Sequence, residues 1–218
     1  MRLGSSPTLV RLRTQFLQDA PEYHTDPAIP YLEPSAYEAW TEVADVFAVL
    51  PASSRKAFRE AYGRSLSLTA LRADSGVSMM TGTDGSYHAP GLSMGQEFQE
   101  LARAGLSPLK ILQMAMRDRA RFLRRTETMG SVAVGKNADL VLLSANPLSR
   151  VSNLTRITAV IRAGHYHSSD ELAGLRRRIA SGSGRLDWQS FEGRTRNRMG
   201  QDPGLVLPLG SIRPVGRG

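Results

Sequence analysis

The sequence predicts an α/β fold in which helices and short buried strands precede a small all-β part. Apolar residues recur at helical spacing through most of the chain before Gly130, and a short apolar segment at 77–81 is bounded by glycines. After Gly130 the pattern becomes extended, with β-branched and leucine-rich segments at 138–143 and 157–163. This order of elements is typical of an α/β unit joined to a β piece.

Length and composition suit one large domain or two small ones. The chain has 218 residues, of which 41% are apolar, and this is enough to bury a core. It has no cysteine, which excludes disulfides, thiolate nucleophiles and Cys-ligated metals and leaves His and carboxylates for any metal. No apolar window is long enough for a membrane span, and no signal peptide is visible, so a cytoplasmic protein is favoured.

The helical part opens with short segments of different kinds. Residues 7–10 are expected to be extended. Apolar residues spaced three and four apart then predict an amphipathic helix over 35–50, which Pro51 ends. Ser53 or Ser54 can cap a second helix, which ends just before the next buried strand.

Two more helices are expected after the strand at 77–81. The first covers about 93–104 and ends at Gly105, the residue type preferred just past a helix. Ser107 and Pro108 then start another helix, as N-cap and first residue. Its predicted buried stripe consists of Leu112, Met116, Ala120 and Leu123.

The net charge of +8 is concentrated towards the C-terminus. Roughly three in ten of residues 181–218 are Gly or Pro, a density typical of unpacked chain. A basic tail can contact RNA or anionic lipid non-specifically. It has few aromatic residues and no nucleic-acid motif, so we expect no specific nucleic-acid partner.

Several motifs, in matching order and spacing, resemble one known family. Gly82-Thr83-Asp84 and the segments after it are similar to the end of the metal-dependent amidohydrolase barrel. The stretch 130–143 resembles the return strand of that superfamily into its small β-sandwich, and 7–10 resembles strand seven of its imidazolonepropionase-like and prolidase-like branch. The full set of similar segments is 7–10, 82–84, 90–93, 104–109, 130–143, 146–148 and 160–164.

This resemblance implies the C-terminal portion of a TIM (β/α)8 barrel, with its last two strand-helix units, and part of a β-sandwich. A closed barrel needs about 250 residues, so the chain is expected to be the C-terminal part of a longer enzyme. The implied divisions are a partial barrel at 1–128, a sandwich segment at 129–168, a C-terminal helix at 169–180 and a disordered Arg/Gly/Pro tail at 181–218.

The resemblance also implies a chemistry. Intact relatives hydrolyse carbon-nitrogen bonds other than peptide bonds with water activated by a divalent metal, most often zinc. Their metal ligands are a His-x-His pair after strand one, a Lys or Glu on strand four, histidines on strands five and six, and an Asp after strand eight. Asp84 alone has a counterpart here, so it is the expected catalytic and metal-binding residue, and tight metal binding by this chain alone is not expected.

Three residues are candidates for a substrate pocket beside Asp84. Thr83 precedes it, and His88 follows four residues later in the same loop. His24 lies in a long proline-bounded loop after the first extended segment and could reach over the mouth of a complete barrel.

Other polar motifs have a structural interpretation. The pair His165 and His167 has His-x-His spacing, but it lies in the closing hairpin of the sandwich, away from the expected metal site. Lys136 and Asp139 are expected to fix a turn and a strand pairing. Where relatives usually have Asn-Pro-Ala, this chain has Asp-Arg-Ala at 118–120.

Two functional hypotheses follow. The first is a hydrolase of small amides or cyclic amides that is active only when the missing part of the barrel is supplied. The second is a non-catalytic remnant or interaction module, which associates with itself or a partner through exposed barrel edges.

Overall fold

The structure is a computed structural model of the full chain, and it describes residues 4–18, 20, 25–32, 36–37, 44–84 and 92–182. The chain divides into two units, 1–177 and 178–218. Nearly all of the second unit, including most of the predicted tail at 181–218, lies outside the described residues.

The described residues contain α-helices, short 3₁₀ helices and one antiparallel sheet. The helices are α1 (Leu9–Phe16), α2 (Ala52–Asp74), α3 (Ser93–Arg103), α4 (Pro108–Ala115), α5 (Arg117–Phe122) and α6 (Ser169–Ala180). The 3₁₀ helices are Ile29–Tyr31 and Val151–Thr155. The strands are β1 (Leu140–Leu143), β2 (Ile157–Arg162) and β3 (His165–Ser168). No described helix is both long and apolar enough to cross a bilayer.

The first extended segment ends earlier than predicted. Ser5 forms a parallel bridge with Met79, since its N–H donates to the Ser78 carbonyl at 2.9 Å and its carbonyl accepts from the Met80 N–H at 2.8 Å. Helix α1 already begins at Leu9, so the prediction that 7–10 is extended is wrong for its second half. A short apolar pair such as Leu9-Val10 fits the spacing of a strand or of a helix. In the structure both residues are helical and buried.

Helix α2 also starts differently from the prediction. Pro51 occupies its N-cap and Ala52 its first turn, so neither Ser53 nor Ser54 caps the helix. Proline suits this place because its missing N–H would have no partner there. Before it, residues 36–37 and 44–48 are helical, and the rest of the predicted helix at 35–50 lies outside the described residues.

The predicted helix ends around Gly105 are confirmed. Helix α3 ends at Arg103, and Gly105 has the left-handed backbone (φ +93°) that favours glycine. The Ser107 side chain then accepts a hydrogen bond from the Lys110 N–H at 3.2 Å, as an N-cap residue should.

The continuous helix expected after Pro108 is broken in two at Met116. There the backbone departs from ideal helical values (φ −117°, ψ −77°), and α5 starts at the next residue. The predicted buried stripe is right for Ala120 and wrong for Met116 and Leu123, which are half exposed. Ile111, Met114 and Asp118 are buried as well.

One apolar core joins these elements. Leu101 of α3 and Ile111 and Met114 of α4 are fully buried against Leu9 of α1 and Met79 of the bridged segment. Val151 of the second 3₁₀ helix closes the same cluster. The core therefore fixes the two extended segments and the helices that follow them as one packed body.

The three strands form an antiparallel sheet in the order β1-β2-β3. The expected strands at 138–143 and 157–163 are present in shortened form, and β3 pairs with β2 in the hairpin expected around His165 and His167. A register shift follows Leu142. Asp139 accepts hydrogen bonds from the Ala163 N–H at 2.8 Å and the Arg162 guanidinium at 2.9 Å, which together hold its pKa below its usual value. Lys136 donates to the Thr126 carbonyl at 2.5 Å, so both residues have the structural roles predicted for them.

Candidate functional site

The two bridged segments end side by side, and this is where Asp84 lies. Gly82 packs so closely on the other segment that an added Cβ would collide with the Ser6 hydroxyl and lie 3.7 Å from the Thr8 methyl group. Because the segments are parallel, their carboxyl ends meet at one edge. Asp84 follows Gly82 by two residues and is exposed at that edge.

Both segments leave this edge through an unusual backbone conformation. Thr8 (φ 47°) and Asp84 (φ 48°) are left-handed, which costs a non-glycine residue on the order of 1 kcal/mol. Aspartate tolerates this conformation better than threonine does. Both residues therefore depart from extended backbone at the end of their segments, and Asp84 is exposed there.

The predicted site residues are only partly brought together. Thr83 lies next to Asp84 in the described loop, while His24 and His88 lie outside the described residues. His165 and His167 belong to β3 in the separate sheet, where the His167 imidazole lies 3.8 Å from the Glu171 carboxyl.

Two buried carboxyl groups behind the edge were not predicted. Glu97 of α3 is completely buried. Its Oε2 accepts a hydrogen bond from the Val10 N–H at 2.8 Å, and its Oε1 has no hydrogen-bond partner. Burial raises the pKa of this carboxyl to about 7, and the hydrogen bonds from the α1 backbone oppose the rise.

Glu100 lies one turn further along α3 and is also buried. It accepts a hydrogen bond from the Tyr62 hydroxyl of α2 and is approached by the guanidinium groups of Arg13 at 3.5 Å and Arg103 at 3.3 Å. Burial and this hydrogen bond raise the pKa of Tyr62. Glu100 thus links α3 to α1 through the ion pair with Arg13 and to α2 through the Tyr62 hydrogen bond.

The sequence does carry a signal for this pair. The buried residues of α3 are Ser93, Glu97, Glu100 and Leu101: Glu97 lies four residues after Ser93, and Glu100 and Leu101 lie three and four residues after Glu97. Two glutamates therefore occupy the stripe that faces the core. Acidic residues at core spacing indicate buried partners, and here those partners are backbone N–H groups, a tyrosine and arginines.

Arg119 ties α5 to the segment that leads into Asp84. Its Nη2 donates to the Thr81 carbonyl at 2.6 Å. This arginine lies within the Asp-Arg-Ala motif at 118–120, the place where the sequence departs from the expected Asn-Pro-Ala. The departure therefore adds a hydrogen bond to the strand exit.

The raised pKa of Glu97 predicts that the stability of the fold depends on pH. A carboxyl with its folded pKa raised from 4.5 to about 7 contributes stability that is fully present below about pH 4.5 and is lost as the pH rises through 7. Between these pH values the loss is about 3 kcal/mol. In urea unfolding at a series of pH values, Glu97→Gln should remove this slope. Glu60→Gln, on the exposed side of α2, should retain it; an unchanged slope in Glu97→Gln would contradict the prediction.

A carboxylate at the exit of a segment that pairs in parallel and precedes a helix is the arrangement of TIM-barrel enzymes. The sequence profile described as Amidohydrolase family matches residues 54–166, just over half of the chain. The chain therefore belongs to the amidohydrolase family. No curated protein matches the chain.

Solved structures have a similar fold. A bottromycin amidohydrolase is 23% identical, with a TM-score of 0.70 over 83% of this chain and 40% of its own. A putative prolidase from Bifidobacterium longum is 24% identical, with a TM-score of 0.53 over 80% of this chain and 39% of its own. These likenesses support a TIM-barrel-type fold. This chain spans about two fifths of the length of each of these relatives.

Members of this family generally use a divalent metal, and the described residues do not make a site for one. Among them, no three His, Asp or Glu side chains come close enough to hold an ion together. Asp84 supplies one carboxylate, whereas a catalytic site usually needs three protein ligands.

Proposed function

We propose that this chain supplies the C-terminal part of an enzyme that hydrolyses carbon-nitrogen bonds other than ordinary peptide bonds. The observation that carries the proposal is the exposed Asp84 at the shared exit of two parallel segments, each followed by helices. In this proposal these segments are the last two strands of the barrel, and β1 to β3 are part of the small sandwich.

Asp84 has the position and chemistry of a proton carrier. It would accept a proton from the attacking water as the new carbon-oxygen bond forms, and donate it to the nitrogen as the carbon-nitrogen bond breaks. Thr83, His88 and His24 would contact the substrate around it. The proposed substrates are small amides and cyclic amides.

Asp84 would supply one metal ligand, and the other ligands would come from the rest of the complete enzyme; zinc is the preferred ion. A bound metal would lower the pKa of water and polarise the scissile carbonyl. Because the described residues alone do not form that site, standalone activity is not part of the proposal.

The test compares the chain with a complemented form. One sample is the purified chain with zinc or manganese; the other carries this chain behind the N-terminal part of the Bifidobacterium prolidase. Both are assayed on cyclic amides and dipeptides. We expect metal-dependent turnover only in the complemented protein. Turnover by the chain alone would contradict the ligand count, and a folded, metal-loaded but inactive chimera would contradict the proposed role.

A second candidate function is an interaction module, and the sheet favours it. Val141 on one face is 56% exposed, and Tyr166 on the other is 61% exposed, so apolar side chains lie uncovered on both faces. Such a sheet would bury area by binding a partner or a second copy. Light scattering of the isolated chain tests this, since a monodisperse monomer would count against self-association.

A further inference from the structure

We infer that Glu97 is a positioning residue that fixes the exit of the first parallel segment and, through it, the loop carrying Asp84. This inference rests on the proposed role of Asp84. Glu97 is buried on α3 and would hold the Asp84 exit in place indirectly, through the start of α1.

Glu97 caps the first turn of α1 from a different helix. The N-cap residue Thr8 makes no side-chain hydrogen bond to the helix, and the first turn of α1 contains no acidic residue. The N–H groups of a first turn lack partners within the helix and favour a negative charge. Glu97 accepts the Val10 N–H at 2.8 Å, so a carboxyl from a different helix takes this place.

Thr8, the N-cap residue of α1, lies beside Gly82, two residues before Asp84. Thr8 is held left-handed directly before the helix, and its methyl group and the Ser6 hydroxyl bound the space at Gly82. Any movement of the first turn therefore changes the surface on which Gly82 packs. Asp84 lies two residues beyond, in the same short exit.

The surroundings of the Glu97 carboxyl offer it few other partners. Glu100 on the same helix is the charged group that acts on it, and Glu100 is itself engaged by Tyr62 of α2 and by Arg13 and Arg103. The 3₁₀ helix at Val151–Thr155, which also packs on α3, contributes the apolar Val151 and Leu154 to the core. The Val10 N–H is thus the main support of the Glu97 carboxyl.

The test follows main-chain amide shifts of the full chain by NMR between about pH 5.5 and 8.5. If Glu97 positions the exit, the amides of Val10, Gly82 and Asp84 share a titration midpoint near pH 7, where the pKa of Glu97 lies. In Glu97→Gln this common midpoint disappears, and in the control Glu60→Gln it is retained. A midpoint that persists in Glu97→Gln belongs to another group and is thereby distinguished from the Glu97 effect.

The overturning result is a titration confined to Val10, with Gly82 and Asp84 unaffected, because Glu97 would then only cap α1. If Glu97→Gln does not fold, the His24→Asn, His88→Asn double variant serves instead: the shared midpoint must persist in it, and its loss would overturn the inference. The experiment needs no turnover. An inactive chimera would therefore contradict the proposed function without affecting the NMR result. An active chimera without the shared midpoint would contradict only the positioning role of Glu97.

Discussion

Replacement of Asp84 by asparagine is expected to lower kcat of the complemented enzyme by about 1,000-fold. Asparagine has nearly the same shape and tolerates the left-handed backbone at this position, so the loop should keep its conformation. It cannot accept and return a proton, and positioned acid-base groups contribute roughly 100- to 10,000-fold to rate. The measurement is kcat and KM on the best cyclic amide found for the chimera.

A matched control separates this effect from a general loss of charge. Asp170→Asn changes an exposed aspartate in the first turn of α6 and should leave kcat within about twofold, since surface substitutions of this kind have small effects. Circular dichroism and metal content of both variants establish that they are folded and loaded. If Asp84→Asn retains more than about a tenth of the activity, Asp84 is not the proton carrier.

The features that could be predicted from the sequence depend on local chemistry. Gly105 marks a helix end because its backbone is left-handed, and Ser107 marks a helix start because its hydroxyl accepts the Lys110 N–H. Such signals need no knowledge of the tertiary fold, and they predicted the structure correctly.

The features that could not be predicted depend on packing. Leu9 and Val10 are compatible with strand or helix, and the cap that selects the helix comes from Glu97, 87 residues away. The break at Met116 has no glycine or proline to announce it. At α1 a distant contact therefore supplies what the local sequence leaves open.

The same division applies to the site. Asp84 became a candidate because its motif resembles that of a family, and the match to the amidohydrolase profile supports the family resemblance. Glu97 and Glu100 were missed because charged residues are almost never fully buried, so the prior expectation places them on the surface. Their positions on the apolar stripe of α3 were visible, but their partners on α1 and α2 are long-range contacts.

The second large effect is expected in the core. Leu101→Ala should reduce the free energy of unfolding by about 4 kcal/mol, since removing a fully buried leucine side chain costs roughly 2 to 5 kcal/mol when its surroundings cannot collapse. Leu101 packs in the core with Leu9 of α1 and with Ile111 and Met114 of α4. The measurement is urea unfolding of the full chain, followed by circular dichroism.

The control is Val132→Ala, because Val132 is 82% exposed and its truncation should change stability by less than about 0.5 kcal/mol. A loss of several kcal/mol for Leu101 would mean that these helices and the bridged segments already fold as one cooperative body, which could hold the Asp84 exit before any further part of a barrel is added. A loss below about 1 kcal/mol would instead mean that the core gains its rigidity only on association. Asp84 would then acquire its geometry from the partner, and the positioning role of Glu97 would be confined to the assembled enzyme.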